Sequence, residues 1–177
     1  LPVYHFFPHH TKGEGLFLAL LRKTTAAPLI KEKKNKKQRV AKQPTIKGGA
    51  AVADWLEHSN EFKLLRTDET HIIAVRQSLA DDIQRICATV RALTAGILLV
   101  EEKGKKLIPQ HALALSTERA VKAFATVELS TDEALSYLRR ESITLPSETP
   151  RGYVVVCHKG HALGFVNNLG NRANNLY

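Results

Sequence analysis

The chain has 177 residues, 44% of them hydrophobic and 24% charged. That is close to the globular average and allows one ordinary domain or two small ones. No apolar run approaches the roughly 18 residues of a membrane helix, and His9, His10 and Glu14 interrupt the N-terminal stretch where a signal peptide would be continuously apolar. A net charge of +9 invites a nucleic-acid reading, but its distribution limits that inference. Residues 1–50 hold 11 Lys/Arg against 2 Asp/Glu, residues 51–125 hold 10 of each, and residues 126–177 hold 5 of each. All of the excess charge therefore precedes residue 51.

In chain order, residues 2–7 (PVYHFF) and 16–21 (LFLALL) read as two short strands joined through Gly13 and Gly15. LFLALL is apolar on both faces and is expected in the middle of a sheet. Residues 24–49 are polar and basic, with Pro28, Pro44 and Gly48-Gly49. Lys31 to Lys42 alone carries seven basic residues and one acid, so a flexible linker is expected. From Ala50, AAVADWLEH reads as a short helix with Val52, Trp55 and Leu56 on one face, and FKLL and HIIAVRQ read as strands. Ser78 is expected to cap a helix running to Ala95, with Asp81 and Asp82 in its first turn and Gly96 as its stop. Ile83, Ile86, Cys87, Val90 and Leu93 would form that helix's apolar stripe. ILLVEE, KKLIP and ALAL read as strands, with a turn at Lys103-Gly104. From Lys122, KAFATVEL reads as a strand. Ser130 to Glu133 is a capping box that opens the helix DEALSYLRR. ESITL, GYVVVCH and ALGFV read as strands, with His158 to His161 as the turn between the last two. The remaining NNLGNRANNLY, with five asparagines in eleven residues, reads as an ordered polar loop. The element order predicts an α+β fold.

Little here suggests catalysis or metal binding. His5, His9 and His10, or Cys157 with His158 and His161, offer ligand types, but neither group supplies four at tight spacing, so no metal site is expected. Cys87 on an apolar helix stripe and Cys157 at the end of a Val-rich strand are expected in the core as free thiols, which suits a reducing cytoplasm. No phosphate loop or dinucleotide fingerprint occurs. No catalytic or cofactor-binding residue is therefore expected in this chain. The lysine run either binds phosphates through counterion release or is a solvated linker.

The stretch from Thr149 to Tyr177 is the most informative. It contains Arg151, Lys159 and Arg172 and no acidic residue. Asparagine amides can hydrogen-bond phosphate, ribose and base edges. The candidate RNA-binding residues are thus Arg151, Lys159, His161, Asn167, Asn168, Asn171, Arg172 and Asn174. Tyr153, Phe165 and Tyr177 could stack on bases. The alternative is a structural loop whose asparagines bond their own backbone. A stripe joining Arg151, Lys159 and Arg172 would favour RNA, whereas an evenly mixed surface would favour a protein-docking module.

Two stretches resemble a family. In HFFPHHTKGEGLFLALLRK (5–23), Pro8, His9, Gly13, Glu14, Gly15, Phe17, Leu20 and Lys23 resemble the closing strands of the Rossmann-like catalytic domain in Nop/Sun-type RNA cytosine-5 methyltransferases. In HALGFVNNLGNRANNLY (161–177), Leu163, Gly164, Phe165, Asn171, Arg172, Asn174, Asn175 and Tyr177 resemble the end of the PUA-like domain in the bacterial ribosomal-RNA branch, the RsmF type. The resemblance implies a parent enzyme that transfers methyl from S-adenosylmethionine to C5 of a cytidine in ribosomal RNA. Its partners would be ribosomal RNA and its own upstream methyltransferase domain, in the cytoplasm, with no membrane. The family's cysteines follow a Thr and a Pro, whereas Cys87 follows Ile86 and Cys157 follows Val156, so neither carries over. The implied organisation is 1–23 as terminal strands of a catalytic domain otherwise absent, 24–49 as linker, 50–121 as a small α+β accessory domain, and 122–177 as a PUA-like pseudo-β-barrel. That barrel is expected to lack its last strand, because a Trp or Arg of the family's closing motif would lie beyond Tyr177. The absence of methionine, with Leu1 at the start, also reads as a piece of a longer protein.

Overall fold

The computed structural model describes residues 3–10, 12–22, 46 and 48–177. Lys31 to Lys42 and most of the expected linker lie outside the described residues. Two compact units result, Leu1–Ala41 and Lys42–Tyr177.

In the first unit, β1 (Val3–Phe6) and β2 (Leu16–Ala19) form an antiparallel hairpin. Both strands are exposed along their whole length, including Leu16, Phe17 and Leu18. The expected burial of LFLALL is therefore not found. Among the described residues, no third strand pairs with this two-stranded sheet to cover its faces.

The second unit opens with α1 (Gly49–Ala53), which buries Val52. β3 (Phe62–Arg66), β4 (His71–Arg76), β5 (Ile97–Lys103) and β6 (Lys106–Pro109) follow as a four-stranded antiparallel sheet in that order. α2 (Ala80–Thr89) is shorter than the pattern predicts, and Ser78 does not cap it. Residues Gln77–Leu79 form a 3-10 turn, and Val90 is already extended. Gly96 does not stop the helix but forms the bend directly before β5. It has φ +65° and presses on β4, where a Cβ would lie 2.2 Å from the Ala74 carbonyl oxygen. ALAL is not a strand either. His111–Ala114 is a one-turn helix, α3, which follows Pro109 after the single residue Gln110 and buries Leu113 and Ala114. Strict alternation over four residues imitates a strand when the neighbouring chain must turn.

A second sheet has the order β10-β9-β8-β7, from β7 (Ala125–Glu128), β8 (Gly152–His158), β9 (His161–Asn168) and β10 (Ala173–Asn175). β7 and β8 are parallel, and their crossover contains α4 (Thr131–Leu138). Its capping box is complete: the Ser130 amide donates to Glu133 Oε2 at 2.8 Å and the Glu133 amide donates to Ser130 Oγ. The β8–β9 turn falls at Lys159 and Gly160, both with positive φ (51° and 76°), as a two-residue hairpin of type I′ requires. ESITL contributes only a bridge, Ile143 to Ala173, and part of the expected polar loop at the end is strand β10.

Alternation along the strands sorts the core into layers. One face of the first sheet (Leu65, Ile73, Val75, Leu98) packs on Ala80 and Ile83 of α2. The opposite face (Ile72, Ala74, Val100) meets Val155, Cys157 and Phe165 of the second sheet in a shared core with Leu113 of α3. The far face of the second sheet (Val154, Val156, Val166, Ala173) packs on Ala134 and Tyr137 of α4. The α+β expectation is met. Among the described residues, no helix is long and apolar enough to cross a membrane.

Candidate nucleic-acid interface

The β8–β9 register decides which predicted residues can meet. His158 pairs with His161 at one end and Gly152 pairs with Asn168 at the other. Six residue steps of about 3.4 Å put these ends about 20 Å apart. Lys159 and His161 therefore sit at the tip, away from Arg151, Asn171 and Arg172. The continuous stripe through Arg151, Lys159 and Arg172 does not form, because a tight hairpin turn necessarily lies opposite the strand ends. Nor is the tip purely basic, since Glu128 accepts the Gly160 amide there, at 3.3 Å to Oε1.

At the other end lie Arg151 and Arg172. The chain leaves β9 through Leu169, Gly170, Asn171 and Arg172 and returns as β10, with the Leu169 amide donating to the Arg172 carbonyl at 2.9 Å. The Arg151 guanidinium lies against Gly170, where a Cβ would come within 2.8 Å of Arg151 Nε. Gly170, at φ +95°, thus provides both the turn and the space. Neither Arg151 nor Arg172 makes an ion pair among the described residues, and both are exposed.

The asparagines divide by strand phase. Asn168 points inward, 5% exposed. Its Nδ2 donates to the Thr149 and Pro150 carbonyls at 3.0 and 3.1 Å, and its Oδ1 accepts the Gly170 amide at 2.9 Å. These bonds hold residues 149–151 against the Gly170 turn and so position Arg151. Asn167 and Asn174 pair with each other across β9 and β10, and Asn167 pairs with Tyr153 across β8. Asn174 is exposed and Asn167 half-buried. Asn175, absent from the candidate set, donates from Nδ2 to the Tyr137 and Glu141 carbonyls at 2.7 and 3.2 Å.

Of the three aromatics, Phe165 is buried, Tyr153 is half-buried and Tyr177 is 44% exposed. Cys157 is buried as expected, and burial pushes its thiol pKa up, Glu128 adding to the shift and Arg119 opposing it, so it stays protonated. Cys87, expected in the core, is exposed, although it shares the Ala80–Ile83 face of α2, because it lies at an open groove lined by Ile83, Leu65 and Leu98. Among the described residues no nucleophile lies beside a base. Among the described residues no group of three or more His, Cys, Asp or Glu could hold a metal ion. The chemistry present at this end is cationic and amide hydrogen bonding, supplied by a stretch (149–177) that contains no acidic residue, which suits phosphates.

Residues 124–177 match the family model described as the methyltransferase RsmF PUA domain. Over 183 residues the chain is 28% identical to ribosomal RNA small subunit methyltransferase F of Erwinia tasmaniensis, covering 98% of this chain and 36% of that protein. Proteins with the same name from Shewanella sp. strain W3-18-1 and Shewanella loihica are 28% and 27% identical, each over 97% of this chain. The chain spans little more than a third of the length of these curated relatives.

Proposed function

We propose that this chain, which carries an RsmF-type PUA domain at residues 124–177, is the RNA-binding C-terminal part of an S-adenosylmethionine-dependent ribosomal RNA cytosine-5 methyltransferase. Its work is to position RNA for a catalytic domain upstream, in the cytoplasm. Residues 1–23 belong with that catalytic domain, 24–49 link to it, 50–121 form the accessory part and 122–177 the PUA-like pseudo-barrel.

The observation that carries this proposal is the unpaired arginine pair, Arg151 on Gly170 with Arg172 across the turn, in a stretch without acids. Asn171 and Asn174 flank it, and Lys159 and His161 at the hairpin tip form a separate, weaker contact. The test is binding of the full chain to ribosomal RNA fragments at several salt concentrations. A variant with Lys33, Lys34, Lys36 and Lys37 changed to Gln cuts the charge of residues 31–42 from +6 to +2. In that background Arg151→Gln and Arg172→Gln should each flatten the salt dependence by about one unit of slope. Unchanged slopes would remove this sheet end from the interface.

The apolar surface around the end of α2 favours a second role, as a brace for the catalytic domain or a dock for a ribosomal protein. Ile86 on α2 is exposed, and Val90 and Leu93, just beyond it, are exposed and line a groove of about 930 Å³ with Leu65, Ile73 and Leu98. Leu93→Asp should abolish co-purification with a separately expressed catalytic domain if that role holds, and leave RNA binding intact.

A further inference from the structure

We propose that Tyr177 and Arg140 form a seat on which one unpaired RNA base stacks; the idea rests on the RNA-binding role proposed above. The seat is built by the end of α4. Arg139 closes the helix, the Arg140 amide donates to the Tyr137 carbonyl and the Glu141 amide to the Ser136 carbonyl, both at 2.9 Å. This is a complete Schellman ending, in which the residue after the cap adopts a left-handed conformation that favours glycine. Here that residue is an arginine, with φ +63°. An arginine kept in strained backbone points to a use for its side chain.

The guanidinium makes no ion pair or hydrogen bond among the described residues. Instead, Arg140 Cζ lies 5.8 Å from the centre of the Tyr177 ring. Tyr177 is itself held. Its amide donates to Asn175 Oδ1 at 2.9 Å, and Asn175 is tied to the carbonyls of Tyr137 and Glu141. Its ring meets His111 at 5.1 Å and Tyr137 at 5.7 Å, both edge-on. The result is an exposed aromatic ring held by edge contacts, with a guanidinium over it that makes no ion pair among the described residues. Bases stack on aromatic rings and on guanidinium planes, with little sequence preference, when they are not already paired. A duplex has no base to offer, so the seat takes single-stranded, looped or bulged RNA.

The test uses the full chain and an oligoribonucleotide with one 2-aminopurine, whose fluorescence falls on stacking, as a single strand and in duplex form. The wild type should quench the single strand and not the duplex. Tyr177→Ala should lose the quenching and bind the single strand about tenfold or more weakly, with the salt slope unchanged, while Tyr177→Trp should retain both. Arg140→Gly should raise the melting temperature by relieving the backbone, yet weaken binding, a split that a purely structural arginine would not give. If the wild type binds and Tyr177→Ala binds and quenches equally, with its circular dichroism unchanged, the seat is refuted and the RNA-binding role survives. If the wild type binds no RNA at any salt, the role itself fails and the seat with it.

Discussion

Asn168 is a polar residue whose value lies in what it holds. Three backbone groups from two segments converge on one buried amide. Removing the amide frees two carbonyls and an N–H on half-buried Thr149 and exposed Pro150 and Gly170, which water can partly satisfy, so Asn168→Ala should cost about 1–2 kcal/mol in urea unfolding. It should also loosen Arg151 and weaken RNA binding without altering any RNA contact directly. Gly96 gives a cleaner comparison. Gly96 and Gly104 have nearly the same φ, +65° and +63°, but a Cβ at Gly96 would meet the Ala74 carbonyl oxygen at 2.2 Å, whereas Gly104 has nothing within 4 Å. Gly104→Ala should therefore cost only the left-handed backbone strain, about 1–2 kcal/mol. Gly96→Ala adds a collision with backbone that cannot swing away, and should cost clearly more in the same denaturation experiment.

At the level of elements, α4 shows what local chemistry decides and α2 shows what it does not. The Ser130–Glu133 capping box is readable in the sequence because both partners lie within four residues, and the structure closes it as expected. Hydrogen bonds from the Ser130 side chain, then from its backbone, hold the Glu133 carboxyl below the usual glutamate range of about 4.3. A carboxylate depressed in the folded state stabilises the protein above the unfolded pKa, and that stabilisation is lost as pH falls through the folded one. Ser130→Ala should cost about 1 kcal/mol near neutral pH, and the gap to wild type should narrow as pH falls below the ordinary glutamate range of about 4.3. A gap constant over that fall would show that Glu133 contributes nothing through its charge. In α2 the period of 3.6 is genuine through Ile83 and Ile86, but nothing local says that Val90 turns extended or that Gly96 is needed by β4. The same limit applies to the site. Arg151, Arg172 and the acid-free stretch were legible as residue types, while their grouping around Gly170, the exile of Lys159 to the tip and the inward turn of Asn168 depend on strand register. Register is a pairing between distant segments, and no local pattern carries it.

Over the whole of Lys42–Tyr177, the two sheets do not own separate cores. Phe165, Val155 and Cys157 of the second sheet are packed with Ile72, Leu99 and Leu113 of the first part, and Trp55 reaches Phe124 at 5.2 Å. A sheet half-covered by another sheet cannot lose that cover without exposing its own apolar face, so the parts on either side of residue 121 should unfold together. Phe165→Ala removes a ring buried to 1% exposure at the centre of this interface, and should cost about 3–5 kcal/mol. The informative measurement is hydrogen exchange. If the core is one cooperative unit, protection should fall by the same factor in β4 and β5 as in β8 and β9. A loss confined to β8 and β9 would mean that 50–121 stands alone as an accessory domain. The distinction reaches function, because an interface at the far end of the second sheet is fixed relative to the groove beside α2 only if the layers between them move as one body.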